Sequence, residues 1–530
     1  MSGRALLFIV MFLSIFTSQI SSGAEEFSLD RILNEDADLS LEIENELQEF
    51  YKERDQDLAN FRDERDAEFA EFLKEQWADY AEFSGLIRDK QPKPVVFPKA
   101  FDEPRDLPPS PGKEDKPVIL DPPQQSPLAD IPPSVKPIPP IHVPVDVPPP
   151  DLLPDDKIKP PIKPRLTGGL QGEIDYYGQQ MFFNFDPKLA GNLTHLNNEG
   201  ISAFWSKVSK IDYQTVTGQL GQIRNQFALN DWGFYQLLQK VSSVISDNQN
   251  ERVLLSWFLL IKSGFQANIG YSDDSVFLMV PSENTIYNVP FYNIDGNRYY
   301  NFTFIETGNR SGKIKTYNHQ YPGADNKIHF GLLNNPQLPS LVKKRLLKFS
   351  YRGKTHSVPI KMNLNVIDFY RTYPSTDMQI FFNAPVDNNV AISLLEGLHP
   401  VISGKNEAEA ANILLRFVQT AFEYKTDAIQ FGGEKYMFAA ETLFYPYSDC
   451  EDRSILFSYL VRKLLKLEVV GLIYPGHAAT AVKFNQPLSG DLVEINGVRY
   501  IVCDPTYTNA DIGKAMPKFM NSKPKVIAVN

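Results

Sequence analysis

Three residues near the C-terminus have the types and order that acyl transfer through sulfur requires: Cys450, His477 and Asp504. A thiol becomes a strong nucleophile once it is deprotonated. A histidine in contact can take that proton and later return it to a leaving group. A carboxylate on the histidine's other nitrogen fixes the tautomer and supports the imidazolium. The 530 residues hold only two cysteines, Cys450 and Cys503. That is too few for a disulfide framework. Either the two pair, or at least one is kept for chemistry.

The local pattern predicts what holds each of the three. Ser448 or Asp449 can cap a helix whose buried face is Ile455, Leu456, Tyr459, Leu460, Leu464 and Leu465. Cys450 then sits at or just inside a helix N-terminus, where unpaired N–H groups and the helix dipole favour a thiolate. The neighbouring acids oppose that by like charge. A strand from Val469 to Tyr474 leads through Pro475-Gly476 to His477, and a second apolar strand runs through Ala481-Val482. His477 is thus expected at an end of a sheet. Asn496-Gly497 marks a tight turn. The strand from Arg499 to Asp504 is stopped by Pro505. Side chains alternate along a strand, so if Asp504 faces His477, Cys503 faces away. A metal site built from Cys450, Cys503, His477 and Asp504 is the rival reading. It lacks short ligand spacings, and the same alternation splits it. Neither a metal nor a cofactor is expected.

The order of cysteine on a helix, Gly-His at a strand, and Asp-Pro-Thr on the next strand resembles the transglutaminase-like superfamily. The stretches that carry the resemblance are Asp449-Cys450-Glu451-Asp452-Arg453-Ser454, Tyr474-Pro475-Gly476-His477 and Cys503-Asp504-Pro505-Thr506-Tyr507, with Phe422-Glu423-Tyr424 closing an upstream helix. They lie within about residues 400–515. The resemblance implies a papain-like core, with Cys450 as nucleophile, His477 as base and Asp504 orienting it. The superfamily includes protein cross-linkers, cysteine peptidases, peptide-cleaving amidases and members without activity; exported bacterial members are the type matched. No residue matches the side chain that helps stabilise the oxyanion, and no dedicated calcium-site pattern is present.

Around this region the chain is expected to be α+β in several parts. Residues 1–24 read as an export signal: Arg4, an apolar run from Ala5 to Phe16, then Ser22-Gly23-Ala24. The run is short for a membrane span, and an uncleaved anchor is the alternative. An exported, periplasmic or extracellular location follows from that reading. Residues 25–90 are an acidic helical segment with 22 Asp/Glu against 8 Lys/Arg. Phe50, Phe61, Phe72 and Phe83 repeat every 11 residues, as do Leu58, Phe69 and Tyr80. Eleven residues make about three helical turns, so these apolar side chains form one stripe. Another helix, a second copy or the globular domain could bury it, with self-association or partner docking through residues 39–88.

Residues 91–165 hold 24 of the 40 prolines and read as a semi-rigid spacer. Residues 166–309 are expected as an α/β region, 310–400 as β-rich, and 401–530 as the transglutaminase-like domain. Within the α/β region, 252–306 parallels 452–507. Asp295-Gly296-Asn297-Arg298-Tyr299 resembles Asn496-Gly497-Val498-Arg499-Tyr500. On that register Asn248, Ser275 and Thr303 fall near the positions of the three candidates. A degenerate second copy is one reading and chance recurrence of a common helix-strand-turn-strand pattern the other; a different strand order would sink the copy.

The whole chain has net charge -12, and the acidic segment accounts for it. The remainder is near neutral, with none of the basic stripe that nucleic-acid binding needs. Two functions compete. One is a thiol enzyme that cleaves or transfers peptide or isopeptide amides. The other is an inactive module of the same fold used for protein binding or envelope assembly.

Overall fold

The structure is a computed structural model that describes residues 29–86, 118–120, 153–154 and 170–529. The export-signal reading of 1–24 lies outside the described residues. The chain divides into two compact units, 1–66 and 67–530. Among the described residues no helix is long and apolar enough to cross a membrane.

Helix α1 (Leu29–Glu75) carries the 11-residue repeats. In the first unit their apolar side chains stand in solvent: Leu47, Phe50, Tyr51, Leu58 and Phe61 are all exposed. In the second unit the equivalent positions are covered. Phe69, eleven residues after Leu58, packs edge-on against Trp205 at 4.7 Å and against Tyr321 at 5.3 Å. Strand β1 (Ala78–Tyr80) then enters a sheet. The acidic segment expected over 25–90 therefore ends inside the globular body. Its last repeats bury their apolar residues there.

The proline-rich stretch also contributes to the sheets. Its short strands β2 (Val118–Leu120) and β3 (Leu153–Pro154) pair with strands far along the chain. Both lie at sheet edges, where a proline's missing N–H is tolerated. The spacer reading of 91–165 is thus interrupted at two points.

A hairpin of β4 (Leu170–Tyr176) and β5 (Gln179–Phe185) opens the next region. Four helices follow: α2 (Asn198–Val208), α3 (Gln214–Gln226), α4 (Asp231–Ile245) and α5 (Gln249–Lys262). Asn197, Asn230 and Asn248 cap the first, third and fourth of these through their side chains. Strands β6 (Asn268–Ser272), β7 (Ser275–Pro281), β8 (Phe291–Ile294) and β9 (Asn297–Asn301) come next, then helix α6 (Phe302–Thr307) and strand β10 (Ile314–Thr316).

Strands β11 (Val342–Tyr351) and β12 (Lys354–Asn363) form a long hairpin. From there the expected β-rich region turns helical: α7 (Leu364–Arg371), α8 (Met378–Asn383) and α9 (Asn388–Ile402). Asn363 and Asp387 cap the first and third of these, and Val390, Leu394, Leu398 and Ile402 give α9 a buried stripe at helical spacing. That correction was available from caps and period together.

Helix α10 (Glu407–Thr420) leads to a two-residue strand β13 (Glu423–Tyr424), the short helices α11 (Asp427–Gln430) and α12 (Ala439–Phe444), and strand β14 (Tyr447–Ser448). Helix α13 (Cys450–Leu460) is buried all round rather than on one face, including Glu451, Asp452 and Arg453. Strands β15 (Glu468–Tyr474), β16 (His477–Lys483), β17 (Leu492–Ile495), β18 (Val498–Cys503) and β19 (Lys525–Ala528) complete the described chain.

The two six-stranded sheets share an order. The first runs β1-β10-β6-β7-β9-β8, and the second β19-β15-β16-β18-β17-β2. Ignoring the outer strands β1 and β2, the five-strand orders β10-β6-β7-β9-β8 and β19-β15-β16-β18-β17 are the same. Every pairing among those strands is antiparallel. In each, the preceding helix (α5 or α13) packs on the second strand of the first hairpin. Each second hairpin closes on a two-residue turn with positive φ at both positions, Asp295-Gly296 and Asn496-Gly497.

Candidate active site

The three candidates converge at one end of the second sheet. Asp449 caps α13 with a reciprocal pair of bonds: its Oδ1 accepts from Asp452 N–H at 3.4 Å, and Asp452 Oδ2 accepts from Asp449 N–H at 3.2 Å. That box fixes Cys450 as the first residue of the helix. Tyr474 pairs with His477 across Pro475-Gly476, so His477 is the first residue of β16. Gly476, at φ 73°, supplies the left-handed backbone this turn needs.

His477 Nε2 lies 2.8 Å from Asp504 Oδ2. The other oxygen, Oδ1, accepts from Thr506 N–H at 2.9 Å and Tyr507 N–H at 3.0 Å. Asp504 is therefore held from both sides. Cys450 Sγ accepts a hydrogen bond from the N–H of Ala478, the residue after His477. The helix bearing the thiol and the strand bearing the imidazole are joined at that point. Asp504 lies one residue past the end of β18, rather than on the strand as expected, and faces His477, while Cys503 is buried elsewhere, its Sγ 3.6 Å from Ile501 O. Neither cysteine is in a disulfide.

The electrostatics favour the neutral thiol. Burial pushes the Cys450 thiol well up, and the charges of Glu451 and Asp449 push it further. The thiol donates to Glu451 Oε2 at 2.9 Å, which stabilises the protonated form. Burial first, and the acids second, thus hold the thiol protonated in this conformation. Tyr424, on β13 beside the strand that leads into Cys450, has its hydroxyl raised by burial first and by the charge of Cys450 second.

The site is closed. Cys450 is 0% exposed, and His477 and Asp504 are 2% exposed. The ring of Phe519 stacks on His477 at 4.7 Å, and Tyr474 lies on Phe519 at 5.1 Å.

Two features escaped sequence reasoning. One is a cluster of buried carboxyls, Asp427, Asp449 and Asp452, with oxygens all within 4.8 Å of one another. It is the one such group among the described residues. Burial raises all three carboxyls, and mutual repulsion adds to this at Asp427 and Asp449. Two of the three acids flank Cys450, a hint the sequence did carry; Asp427 comes from a separate short helix. The carboxyls offer the oxygen donors that a hard cation takes, or they share protons. The other feature is the polar face of α10, described below.

The first sheet has a corresponding point. Val276 N–H donates to Asn250 Oδ1 at 3.0 Å, matching Ala478 N–H to Cys450 Sγ. Ser275 stands at the start of β7 as His477 does at the start of β16. Thr303 Oγ1 accepts from Leu278 N–H at 2.9 Å. The side chain that takes this strand N–H is Asn250, whereas Asn248 is spent on capping α5.

No family model matches the chain, and no curated protein or solved structure matches it either.

Proposed function

We propose that residues 401–530 form a transglutaminase-like thiol enzyme of an exported protein, acting on peptide or isopeptide amides. The observation that carries this is the 2.8 Å contact of His477 Nε2 with Asp504 Oδ2 beside a helix-N-terminal Cys450. In the reaction, Cys450 gives its proton to His477 and its sulfur bonds to the amide carbonyl carbon. The C–N bond breaks, and the amine leaves with the proton from His477. The resulting thioester is resolved by water or by a second amine, whose proton passes to His477 and returns to Cys450. The Cys450 N–H supplies one oxyanion donor. Asp504 holds the ring and supports its positive charge.

The test is electrophile labelling of Cys450, read by mass spectrometry, in the wild type, His477→Ala and Asp504→Asn. A wild-type rate above that of an ordinary thiol, lost in both variants, is expected. A rate unaffected by either substitution would sink the proposal.

A second reading has its own support. The buried thiol and the acids that keep it protonated suit an inactive module that binds protein. Under that reading Cys450→Ala changes no activity. We also infer that the first α/β region is a copy of this fold without a thiol. Its shared strand order and the Asn250 bond support that inference.

A further inference from the structure

Helix α10 buries Ala411, Leu414, Leu415 and Val418 at helical spacing. Its other residues do something else. Asn412, Arg416 and Gln419 lie at i, i+4 and i+7, on one face. Together they hold the segment from Asp504 to Ile512. Asn412 Oδ1 accepts from Ile512 N–H at 2.8 Å. Arg416 donates to Asn509 Oδ1 and, at 3.3 Å, to Asp511 Oδ1.

Gln419 makes the densest set. Its Nε2 lies 3.0 Å from Asp504 O, 2.9 Å from Tyr507 O and 3.0 Å from Ala510 O. Its Oε1 accepts from Asn509 N–H at 3.2 Å. The side chain is 2% exposed, so these bonds are not traded with water, and losing one leaves a buried group unsatisfied. The main chain of the same residue faces the other half of the site. Gln419 O accepts from Arg453 Nη1 at 3.4 Å. Arg453 sits three residues after Cys450 on α13 and also donates to Phe422 O at 2.9 Å and Ser448 Oγ at 3.0 Å.

We propose that Gln419 is a positioning residue: its side chain fixes the Asp504 loop and its carbonyl fixes the Cys450 helix, so that it sets the two ends of the triad against each other. The proposal rests on the thiol-enzyme reading above. Without Gln419 the loop loses its grip at Asp504 itself. The carboxylate then turns from His477, and the imidazolium loses its support. Asn412, at the far end of the same face, holds Ile512 and does not touch Asp504.

The experiment is the pH dependence of Cys450 alkylation by iodoacetamide in the full-length chain, with thermal unfolding measured in parallel. The variants are Gln419→Met, which fills the space without polar atoms, Gln419→Glu and Asn412→Ala. Both Gln419 variants are expected to slow alkylation at least tenfold at neutral pH and to shift the limb governed by His477 to lower pH. Asn412→Ala is expected to lower the unfolding temperature and leave the profile in place. If Gln419→Met does not fold, Gln419→Glu decides, since it keeps the length and the acceptor for Asn509. A Gln419 variant that folds with the wild-type profile overturns the proposal. If the wild type itself shows no limb that His477→Ala removes, the thiol-enzyme reading has failed instead.

Discussion

The rings of Phe519 and His477 lie 4.7 Å apart and 13° from parallel. Phe519 comes from the segment that follows Asp504, so the chain supplying that carboxylate also covers the His477 ring. Truncating that ring is expected to open the site. Phe519→Ala should raise the rate of Cys450 alkylation several-fold over wild type at pH 7. An unchanged rate would mean that access is governed elsewhere.

Under the thiol-enzyme proposal, the bond between His477 and Asp504 should show in the Asp504→Asn variant. The amide keeps the shape and the acceptor for Thr506 and Tyr507, but it removes the charge facing His477 Nε2. Turnover on an amide substrate should fall on the order of 10³-fold or more, as when the orienting carboxylate of a triad becomes an amide. Circular dichroism should remain that of the wild type. A loss under about tenfold would mean that Asp504 does not support the imidazolium.

Buried acids give the fold a pH dependence of definite sign. Asp387 caps α9, and burial pushes its carboxyl up to about 6 from an ordinary 3.8. A carboxyl raised on folding binds more protons when folded, so it favours the fold at low pH, and that contribution is lost as pH rises through about 6. Asp427, Asp449 and Asp452 act in the same direction. The unfolding temperature should therefore be higher at pH 5 than at pH 8. Asp387→Asn keeps a capping oxygen and should flatten part of that slope. A wild-type temperature that climbs from pH 5 to 8 would refute the prediction.

Asn250 offers a control in the first sheet. Asn250→Ala removes the acceptor for Val276 N–H and the donor to Asp274 O at 2.8 Å. It should destabilise the chain by about 1–2 kcal/mol, measured by chemical denaturation. Cys450 labelling should not change, because α5 and α13 belong to different sheets.

Phe69 tests where the acidic segment ends. Its ring is 2% exposed among Trp205, Trp257, Tyr317 and Tyr321. Phe69→Ala should cost about 3–5 kcal/mol. The period-equivalent Leu58, 50% exposed, should cost less than about 0.5 kcal/mol on its change to alanine. Equal costs would mean the two positions share an environment.

What the sequence made legible follows from the range of the forces involved. The caps, turns and strand pattern around Cys450, His477 and Asp504 are local; they place Cys450 at a helix start and His477 at a strand start, while Asp504 falls one residue beyond β18 rather than on it. The face of α10 that grips the Asp504 loop was hidden, because Asn412, Arg416 and Gln419 bond to residues about 85 to 100 positions away. Their types alone read as a solvated face. The edge strands Val118–Leu120 and Leu153–Pro154 were hidden for a related reason: proline composition argues against strands, and only a distant partner overrides it. Burial of Glu451, Asp452 and Arg453 was missed because charge at a helix start ordinarily faces water. The helix α9 could have been read from Asp387 and its apolar spacing.

Both thiols, Cys450 and Cys503, have no exposed surface. Oxidation of a cysteine to sulfenic acid, or its capping by a small disulfide, needs both a thiolate and a path for the reagent. At Cys503 closed packing and a raised thiol deny both, whereas Cys450 is reached when the site opens. The protein should keep Cys503 reduced through long storage in air without added reductant, while each opening of the site would expose Cys450 to the damage that burial spares Cys503.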